Sequence, residues 1–305
     1  MMHLRIATRQ SRLALWQSEH VADLLRTAHA QLQVELVPMT TQGDERLDVS
    51  LAKIGGKGLF IKELEHAMID GRADIAVHSM KDVPAELPDG FCIAAILERH
   101  DPRDVLAGTA LDALPEGARV GTSSLRRAAQ LRLARPDLRI EPIRGNVETR
   151  LAKLTDQDFD AIVLALAGLE RLGLDQHVAD ILPAALCLPA AGQGAIGIEC
   201  REDNGDLLTL LQAIEHEPTR RAVTAEREVT ATLAANCTSP LAAHAWMDET
   251  EIVLHSILAH PDGSDAISAT ARGPDAIKVG REAANRMLRH GARSLLDSVE
   301  ATYGH

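Results

Sequence analysis

Hydroxyl and arginine side chains cluster at three places where a strand is predicted to end and a helix to begin. These places are Thr8-Arg9-Gln10-Ser11, Thr122-Ser123-Ser124-Leu125-Arg126-Arg127, and the segment from Arg144 to Arg150. Free N–H groups and the helix dipole favour anions there, and guanidinium groups suit carboxylates. One such cluster is often no more than a helix cap beside solvated arginines. Three of them predict a site for a polyanion or a polycarboxylate.

A second candidate is His78-Ser79-Met80-Lys81-Asp82-Val83-Pro84, in which an apolar strand ends in ionisable groups. Ligands of open α/β folds bind beyond the carboxyl ends of the strands. The positive charge of Lys81 favours the ionised form of Asp82. A surface ion pair would account for the same residues, so the pattern alone leaves the role of Asp82 open.

Two glycine-rich stretches are similar to nucleotide-binding motifs without matching them. Ile54-Gly55-Gly56-Lys57-Gly58-Leu59-Phe60 lacks the Ser or Thr that follows the lysine of a phosphate loop. We interpret it as a flexible loop, with Lys57 available to anions or with no function beyond structure. Gly192-Gln193-Gly194-Ala195-Ile196-Gly197 follows Pro189 instead of a strand, and a strand pattern comes after it. We predict a hinge or a cleft-lining turn there, not a dinucleotide site.

The four cysteines, Cys92, Cys187, Cys200 and Cys237, are scattered and form no C-x-x-C pair. This spacing is not that of a disulfide framework or a zinc site, and we predict no metal. Cys237 differs from Cys92 and Cys200 because it lies in a turn-like segment and not in an apolar strand. An exposed loop thiol is a candidate nucleophile or attachment site. An inert cysteine is the alternative that the local sequence leaves open.

The charge balance narrows the possible partners. The net charge is -12 and aromatic residues make up 2% of the 305 residues, which argues against a nucleic-acid binder. No stretch of about 18 apolar residues predicts a membrane span, and the N-terminus lacks the apolar core of a signal peptide. We therefore expect a cytoplasmic protein, most simply a monomer. An acidic protein can still bind an acidic ligand if its basic residues are concentrated in one cleft.

Alternating strand and helix patterns predict an α/β fold with two doubly wound lobes and a small α+β C-terminal domain. The predicted boundaries are 1–98, with a return segment 195–214, for the first lobe, 99–194 for the second lobe and 215–305 for the C-terminal domain. The charged segment Arg99–Asp104 and the loop Ala185–Gly194 are the predicted crossings between lobes. A closing helix, Ala276–Glu300, is predicted to break near Gly291.

One internal similarity relates the two lobes. Ile6–Leu13 and Val120–Arg127 both run from a strand through hydroxyl residues into a helix start that carries arginine. They occupy equivalent places in the two α/β runs. Two similar lobes that face each other would bring both helix N-termini to one cleft.

Taken in order, these segments are similar to the porphobilinogen deaminase family along nearly the whole chain. The motifs that carry the resemblance are Ala7–Ser11, Gly55–Phe60, Ala76–Pro84, Gly121–Arg127, Arg144–Val147 and Leu188–Ala195. The resemblance implies two lobes like those of periplasmic binding proteins and a third domain that carries a cofactor cysteine. It also implies a reaction in which four porphobilinogen molecules are joined head to tail with loss of ammonia. Water then releases hydroxymethylbilane.

The resemblance further implies a dipyrromethane cofactor, built from the substrate and attached through a thioether to Cys237. Asp82 matches the family's catalytic aspartate. The residues that would bind the carboxylates of cofactor and substrate are Arg9, Ser11, Lys57, Lys81, Thr122, Ser123, Arg126, Arg127, Arg144, Arg150, Arg171 and Gln193. Porphobilinogen carries an acetate and a propionate, so this basic set would explain how an acidic protein holds a growing polypyrrole.

The chain departs from the family pattern at two places. Ala235 and Asn236 stand where relatives often have two glycines before the cofactor cysteine. If that backbone is left-handed, Asn tolerates it better than Ala. Arg12 stands where some relatives have proline, either as an extra carboxylate contact or as a solvated side chain.

Two other classes of protein share some of these features. A two-lobed receptor for a small anion would need neither the third domain nor Cys237, and it would normally carry a signal peptide. A cysteine hydrolase would need a base beside the thiol, and the sequence does not show where His78 and His244 lie. A cofactor mass on Cys237 would separate the family's chemistry from both.

Overall fold

A computed structural model describes residues 3–41, 61–236 and 238–303. Within these ranges the chain forms two five-stranded sheets and one three-stranded sheet. The first part of the chain contains β1 (His3–Arg9), α1 (Arg12–Ala28), β2 (Gln33–Met39), α2 (Lys62–Ile69), β3 (Ile75–Ser79) and β4 (Phe91–Ile96). The glycine-rich stretch Ile54–Phe60 lies outside the described residues.

The middle of the chain builds the second sheet and its helices. Its elements are β5 (Asp104–Gly108), β6 (Arg119–Gly121), α3 (Leu125–Ala134), β7 (Arg139–Glu141), α4 (Val147–Asp156), β8 (Ala161–Ala165), α5 (Leu166–Leu172) and β9 (Val178–Ile181). The sequence patterns did not predict α5, because it begins directly after a buried strand and its N-cap, Ala165, has no capping side chain.

The chain then returns to the first sheet and continues into the third. The elements are β10 (Ile196–Arg201), α6 (Gly205–Leu211), α7 (Glu217–Thr232), β11 (Leu241–Asp248), β12 (Glu251–Ala259), β13 (Ala266–Gly273), α8 (Ala276–Arg289) and α9 (Ala292–Tyr303). The predicted break in the closing helix is confirmed, since Gly291 has a φ of +94° between α8 and α9. No helix in the described part of the chain is long and apolar enough to cross a membrane.

The two five-stranded sheets have the same topology. The first has the order β2-β1-β3-β10-β4 and the second β7-β6-β8-β5-β9. In each sheet, the first three strands of this order are parallel, and the fourth is antiparallel to them. That fourth strand, β10 or β5, is the first strand that the chain forms after it crosses from the other lobe. We call these sheets with their helices the first and second lobes. The predicted fold class, two doubly wound α/β lobes with a separate C-terminal sheet and helices, is confirmed.

The two crossings between the lobes pass each other in close contact. Gly194 has a φ of +84°, and a Cβ at this position would lie 2.5 Å from the carbonyl oxygen of His100. Only glycine combines that backbone conformation with that approach. The predicted turn at Gly192–Gly194 is confirmed, and β10 follows it.

Each sheet buries its own apolar core. Leu4, Ile6 and Ile75 lie in the first lobe, Leu106, Val120 and Val163 in the second, and Val229, Ile252 and Met287 in the C-terminal domain. The central strands β3 and β8 are buried on both faces, which explains their continuous apolar sequences. Rigid strands of this kind hold the polar turns that follow them.

Candidate active site

A cleft of about 1280 Å³ lies where the two lobes and the C-terminal domain meet. Ligand pockets usually measure about 300–1,000 Å³, so this cleft has room for a ligand longer than one small molecule. Of the residues that the structure describes, ten arginines and lysines line it against four acidic residues. The chain has a net charge of -12, so positive charge is concentrated in this one cleft.

Three helix N-termini face the cleft with their caps. Ser11 accepts a hydrogen bond from the N–H of Ala14 at 3.3 Å, and Ser124 accepts one from Arg127 at 3.4 Å. Asn146 accepts one from Thr149 at 2.7 Å. The first two caps come from equivalent places in the two lobes, as the internal similarity predicts. The Ser11 and Ser124 hydroxyls are therefore helix caps at the edge of the cleft.

Arg126 and Arg127 are both buried against one carboxylate, that of Asp104. Nη1 of Arg126 and Nη2 of Arg127 each lie 2.7 Å from an Asp104 oxygen. The Gln193 amide donates to the same carboxylate at 2.8 Å. Burial raises the pKa of Asp104, but the two guanidiniums lower it by more, to well below its ordinary range. Two cations share one anion, which leaves a surplus positive charge on the cleft wall.

A second buried carboxylate, Glu226 of α7, joins the C-terminal domain to both crossings. Arg99 donates to its two oxygens at 2.7 and 2.8 Å. The N–H groups of Gly192 and Ala245 each donate to it at 2.7 Å, and His244 lies 3.3 Å away. Burial raises the pKa of Glu226, yet Arg99 and then His244 lower it, to about 2. Glu226 is therefore an anion at neutral pH and is matched by its partners.

Asp82 lies in a short 3-10 turn, Met80–Asp82, at the end of β3. Its side chain is exposed and lines the cleft. Burial lowers the pKa of the neighbouring Lys81 to about 8, and Asp82 opposes that shift. Burial and Arg127 likewise lower the pKa of Arg150 to about 10, again opposed by Asp82. Asp82 in the first lobe thus interacts electrostatically with Arg150 in the second lobe, across the cleft.

Arg171 of α5 lies under the same cleft and is 6% exposed. Its Nη2 donates to the Gly194 carbonyl at 2.6 Å, and its guanidinium lies 5.8 Å from the ring centre of Trp16 in the first lobe. Burial lowers the pKa of Arg171 to about 10. Its Nε is buried and has no hydrogen-bond partner within the described ranges. A buried donor of this kind suits an anionic or carbonyl-bearing ligand.

The segment around position 237 also borders the cleft. Cys237 itself lies outside the described residues, but Asn236 and Thr238 on either side of it line the cleft. The Asn236 Oδ1 accepts from the N–H of Thr238 at 2.9 Å and from its hydroxyl at 2.6 Å. The left-handed residue is Ala234, with a φ of 50°. Asn236 therefore contributes a side-chain cap to this turn, where the sequence had suggested a substitute for glycine.

All but two of the predicted site residues lie together. The cleft is lined by Arg9, Ser11, Lys81, Asp82, Thr122, Ser123, Arg126, Arg127, Arg144, Arg150, Arg171 and Gln193. Lys57 and Cys237 fall outside the described residues. His78 and His244 both bind buried carboxylates, His78 being 2.7 Å from Glu199.

Sequence reasoning missed several residues that position the site. Arg227 of α7 donates to the carbonyls of Val83, Pro84 and Ala85, at 3.0, 2.7 and 3.1 Å. It thereby attaches the C-terminal domain to the turn that carries Asp82. No local signal could have found it, because α7 is far from Asp82 in sequence and Arg227 follows no strand end.

Arg12 forms a bridge across the mouth of the cleft. Its Nη1 lies 2.8 Å from Glu148 of α4, so α1 of the first lobe is joined to α4 of the second. Both side chains are partly exposed. The two expectations for Arg12 were a ligand contact and a solvated side chain. The structure shows instead an ion pair between the lobes.

Comparison with known proteins gives two matching family models. One is described as porphobilinogen deaminase, dipyromethane cofactor binding domain, and matches residues 4–209. The other is described as porphobilinogen deaminase, C-terminal domain, and matches residues 220–289. The chain is also 52% identical over 301 residues to the porphobilinogen deaminase of Chromobacterium violaceum, covering 97% of each chain.

Solved structures with a similar fold are more distant. A BvgS periplasmic VFT2 domain of Bordetella pertussis is 14% identical, with a TM-score of 0.43 over 70% of this chain and 86% of that one. A TRAP periplasmic solute binding protein of Desulfovibrio salexigens is 14% identical, with a TM-score of 0.42 over 72% of this chain and 73% of that one.

Proposed function

The chain belongs to the porphobilinogen deaminase family, and on that premise we propose which of its residues perform the family's reaction. The activity is that of a hydroxymethylbilane synthase, a transferase of tetrapyrrole biosynthesis that uses a dipyrromethane cofactor. It condenses four porphobilinogen molecules, releases ammonia at each step and frees the product with water.

The cleft fits a group of this chemistry. A dipyrromethane carries carboxylate side chains and two pyrrole N–H groups, and when bound it supplies the end to which new pyrroles are added. The surplus positive charge of the cleft and the unpartnered Nε of Arg171 favour the carboxylates. The exposed carboxylate of Asp82 is an acceptor for the N–H groups. Cys237 would hold the cofactor through a thioether, a proposal supported by the position of Asn236 and Thr238 on the cleft wall.

The basic residues would bind carboxylates of the cofactor and of the growing chain. We assign the cofactor to Lys81, Asp82, Thr122, Ser123, Arg126, Arg127 and Arg144, and the incoming substrate to Arg9, Ser11, Lys57, Arg150, Arg171 and Gln193. Arg126 and Arg127 share the single carboxylate of Asp104, so a ligand carboxylate would neutralise the surplus charge. Charge-assisted hydrogen bonds of this kind are about twice as strong as neutral ones.

Asp82 would stabilise the positive charge that develops on a substrate pyrrole as ammonia leaves. At about 4 Å and an effective dielectric constant near 20, one carboxylate contributes about 4 kcal/mol. That corresponds to roughly three powers of ten in rate. The same carboxylate would accept the pyrrole N–H groups and assist proton transfer. The three Arg227 hydrogen bonds to the backbone after Asp82 would limit its movement and so preserve this geometry.

The test of this assignment is Asp82→Asn, which removes the charge and keeps the shape. Purified protein should retain its cofactor and its fold and lose about a thousandfold in turnover, by the same 4 kcal/mol. Asp89→Asn is the matched control, because Asp89 is exposed and lies outside the cleft in the same connection to β4. Near-normal turnover of Asp82→Asn, with intact mass showing the cofactor present, would remove Asp82 from the chemistry.

Three further predictions belong to this proposal. The boundaries 1–98 with 195–214, 99–194 and 215–305 are supported by the way the strands pair, since β10 joins β3 and β4 after the second sheet is complete.

A monomeric state would be checked by the mass of the protein in solution. A cytoplasmic location would be checked by fractionation of the cells that make it.

A further inference from the structure

Two free thiols that the proposed reaction does not use lie opposite each other in the first lobe. Cys92 of β4 and Cys200 of β10 are directly paired in the antiparallel register. Both side chains pack into the same apolar core, so they point to the same face of the sheet. Opposed residues of antiparallel strands have Cα atoms about 4.5–5.5 Å apart. A disulfide spans about 4.4–6.8 Å between Cα atoms, so the register places this pair within the range of a disulfide.

The two thiols interact with each other and differ in their access to solvent. Burial raises the pKa of Cys92, and the neighbouring Cys200 opposes that shift. Burial raises the pKa of Cys200 to about 12, and Cys92 adds to the shift. Cys92 is half-buried, whereas Cys200 is fully buried. Cys92 is therefore the more accessible residue of the two.

We propose that Cys92 and Cys200 form a reversible redox pair, which closes to a disulfide between β4 and β10 when a low-molecular-weight disulfide of the glutathione class reaches Cys92. The Cys92 thiolate attacks one sulfur of the reagent and displaces one thiolate. Cys200, after losing its proton, attacks the Cys92 sulfur and displaces the second. The two cysteines lose two electrons and two protons, and the reagent is reduced to two thiols.

The position of the pair predicts what the disulfide would and would not change. β4 is the edge strand of the first sheet and leads into one crossing, while β10 follows the other crossing. A covalent bond would fasten the edge strand and stabilise the lobe against unfolding. Glu199 precedes Cys200, so its side chain points to the opposite face, where it binds His78. Turnover should therefore survive oxidation, and the midpoint of thermal unfolding should rise.

Cys187 is an internal standard for reactivity. It is buried in the second lobe, its thiol donates to Asp104 at 3.4 Å, and burial raises its pKa to about 12. It lies in the loop after β9, outside the strands of the second sheet. Oxidised glutathione should leave Cys187 unmodified under conditions that couple Cys92 to Cys200. The reacting species is the thiolate. At pH values below the pKa of Cys92, the rate of disulfide formation should therefore rise about tenfold for each unit by which the pH is increased.

The experiment treats the cofactor-loaded enzyme with oxidised glutathione at mildly alkaline pH, digests it without reduction and maps the peptides by mass spectrometry. The expected product joins the peptides of Cys92 and Cys200 with loss of two hydrogen atoms, and dithiothreitol separates them. In Cys200→Ser, glutathione should remain attached to Cys92, and in Cys92→Ser neither position should react. Two outcomes in the folded wild type would overturn the proposal: both thiols unmodified, or a stable glutathione adduct on Cys92.

Discussion

Two buried carboxylates, Asp104 and Glu226, differ in the number of cations that surround them. Asp104 and Glu226 both have 0% exposure. Asp104 binds two guanidiniums, Arg126 and Arg127, and so leaves one positive charge in excess. Glu226 binds the single guanidinium of Arg99, and its remaining contacts are two backbone N–H groups and a histidine.

The difference in charge follows the difference in location. Arg126 and Arg127 line the cleft, whereas Arg99 and Glu226 do not. Gln193 connects the two clusters. Its backbone carbonyl accepts a hydrogen bond from Arg99 at 2.7 Å, and its side-chain amide donates one to Asp104. We call Glu226 with Arg99 the balanced cluster and Asp104 with Arg126 and Arg127 the unbalanced cluster. The balanced cluster holds the domains together, and the unbalanced cluster gives the cleft a surface that favours anions.

The largest effect on stability should come from breaking the balanced cluster. Arg99→Leu leaves the Glu226 carboxylate buried without its cation, and Glu226→Gln leaves the guanidinium without its anion. Removing one member of a buried pair typically costs about 3–5 kcal/mol. Urea unfolding monitored by circular dichroism would measure the loss. Glu228→Gln is the matched control, since its partner Arg281 is exposed, and surface pairs contribute about 0–1 kcal/mol.

The unbalanced cluster should respond in the opposite way. Arg127→Leu leaves Asp104 with Arg126, one anion with one cation, so the fold should lose less stability than in Arg99→Leu. The binding of ligand carboxylates in the cleft should weaken instead, because a hydrogen bond to a charged group contributes about 1.5–3 kcal/mol. We expect kcat/KM for porphobilinogen to fall about tenfold to a hundredfold.

The control for this variant lies in the same helix. Arg132 donates to the Pro261 carbonyl at 2.7 Å and does not line the cleft, so Arg132→Leu should leave kcat/KM near the wild-type value. Intact mass would first establish that each variant carries its cofactor. If Arg127→Leu lost as much stability as Arg99→Leu with unchanged kcat/KM, the two clusters would not differ in role.

The smallest predicted effect is a pH dependence from Lys81, whose pKa is lowered by burial from 10.5 to about 8. In protein without cofactor, porphobilinogen should bind more weakly as the pH rises through 8, because Lys81 loses its charge. The unfolded chain keeps that proton up to about 10.5, so the free energy of unfolding should rise between these two pH values.

Binding titrations over this pH range would measure the effect, with Lys81→Arg as the comparison. An arginine stays charged, so the decline in affinity above pH 8 should disappear in that variant. A decline of the same size in both proteins would assign the titration to another group.

The sequence predicted the parts of the site that local patterns encode. Ser11 and Ser124 cap helices at strand ends, and Lys81 and Asp82 follow a buried strand, so residue type and spacing sufficed to place them. The partners of the arginines were not predictable in this way. Arg99 and Glu226 are 127 positions apart, and no periodicity relates them.

The same limit applies to the elements that were missed. β5 follows a charged crossing, and its first residue, Asp104, is a buried acid whose cations come from α3. A charged residue beside Pro102 favoured a solvated linker. Arg227 was missed because it donates to backbone carbonyls, and every residue has one, so the residue types do not indicate the contact. Long-range ion pairs and backbone contacts therefore needed the structure.

The central claim is that the cleft holds a cofactor attached to Cys237, and the mass of the purified active protein tests it most directly. The protein should be heavier than its sequence by two pyrrole units, with the added mass on the peptide that contains Cys237 and absent from Cys237→Ala. Active protein in which Cys237 is unmodified, or in which the added mass lies on Cys92, Cys187 or Cys200, would contradict it.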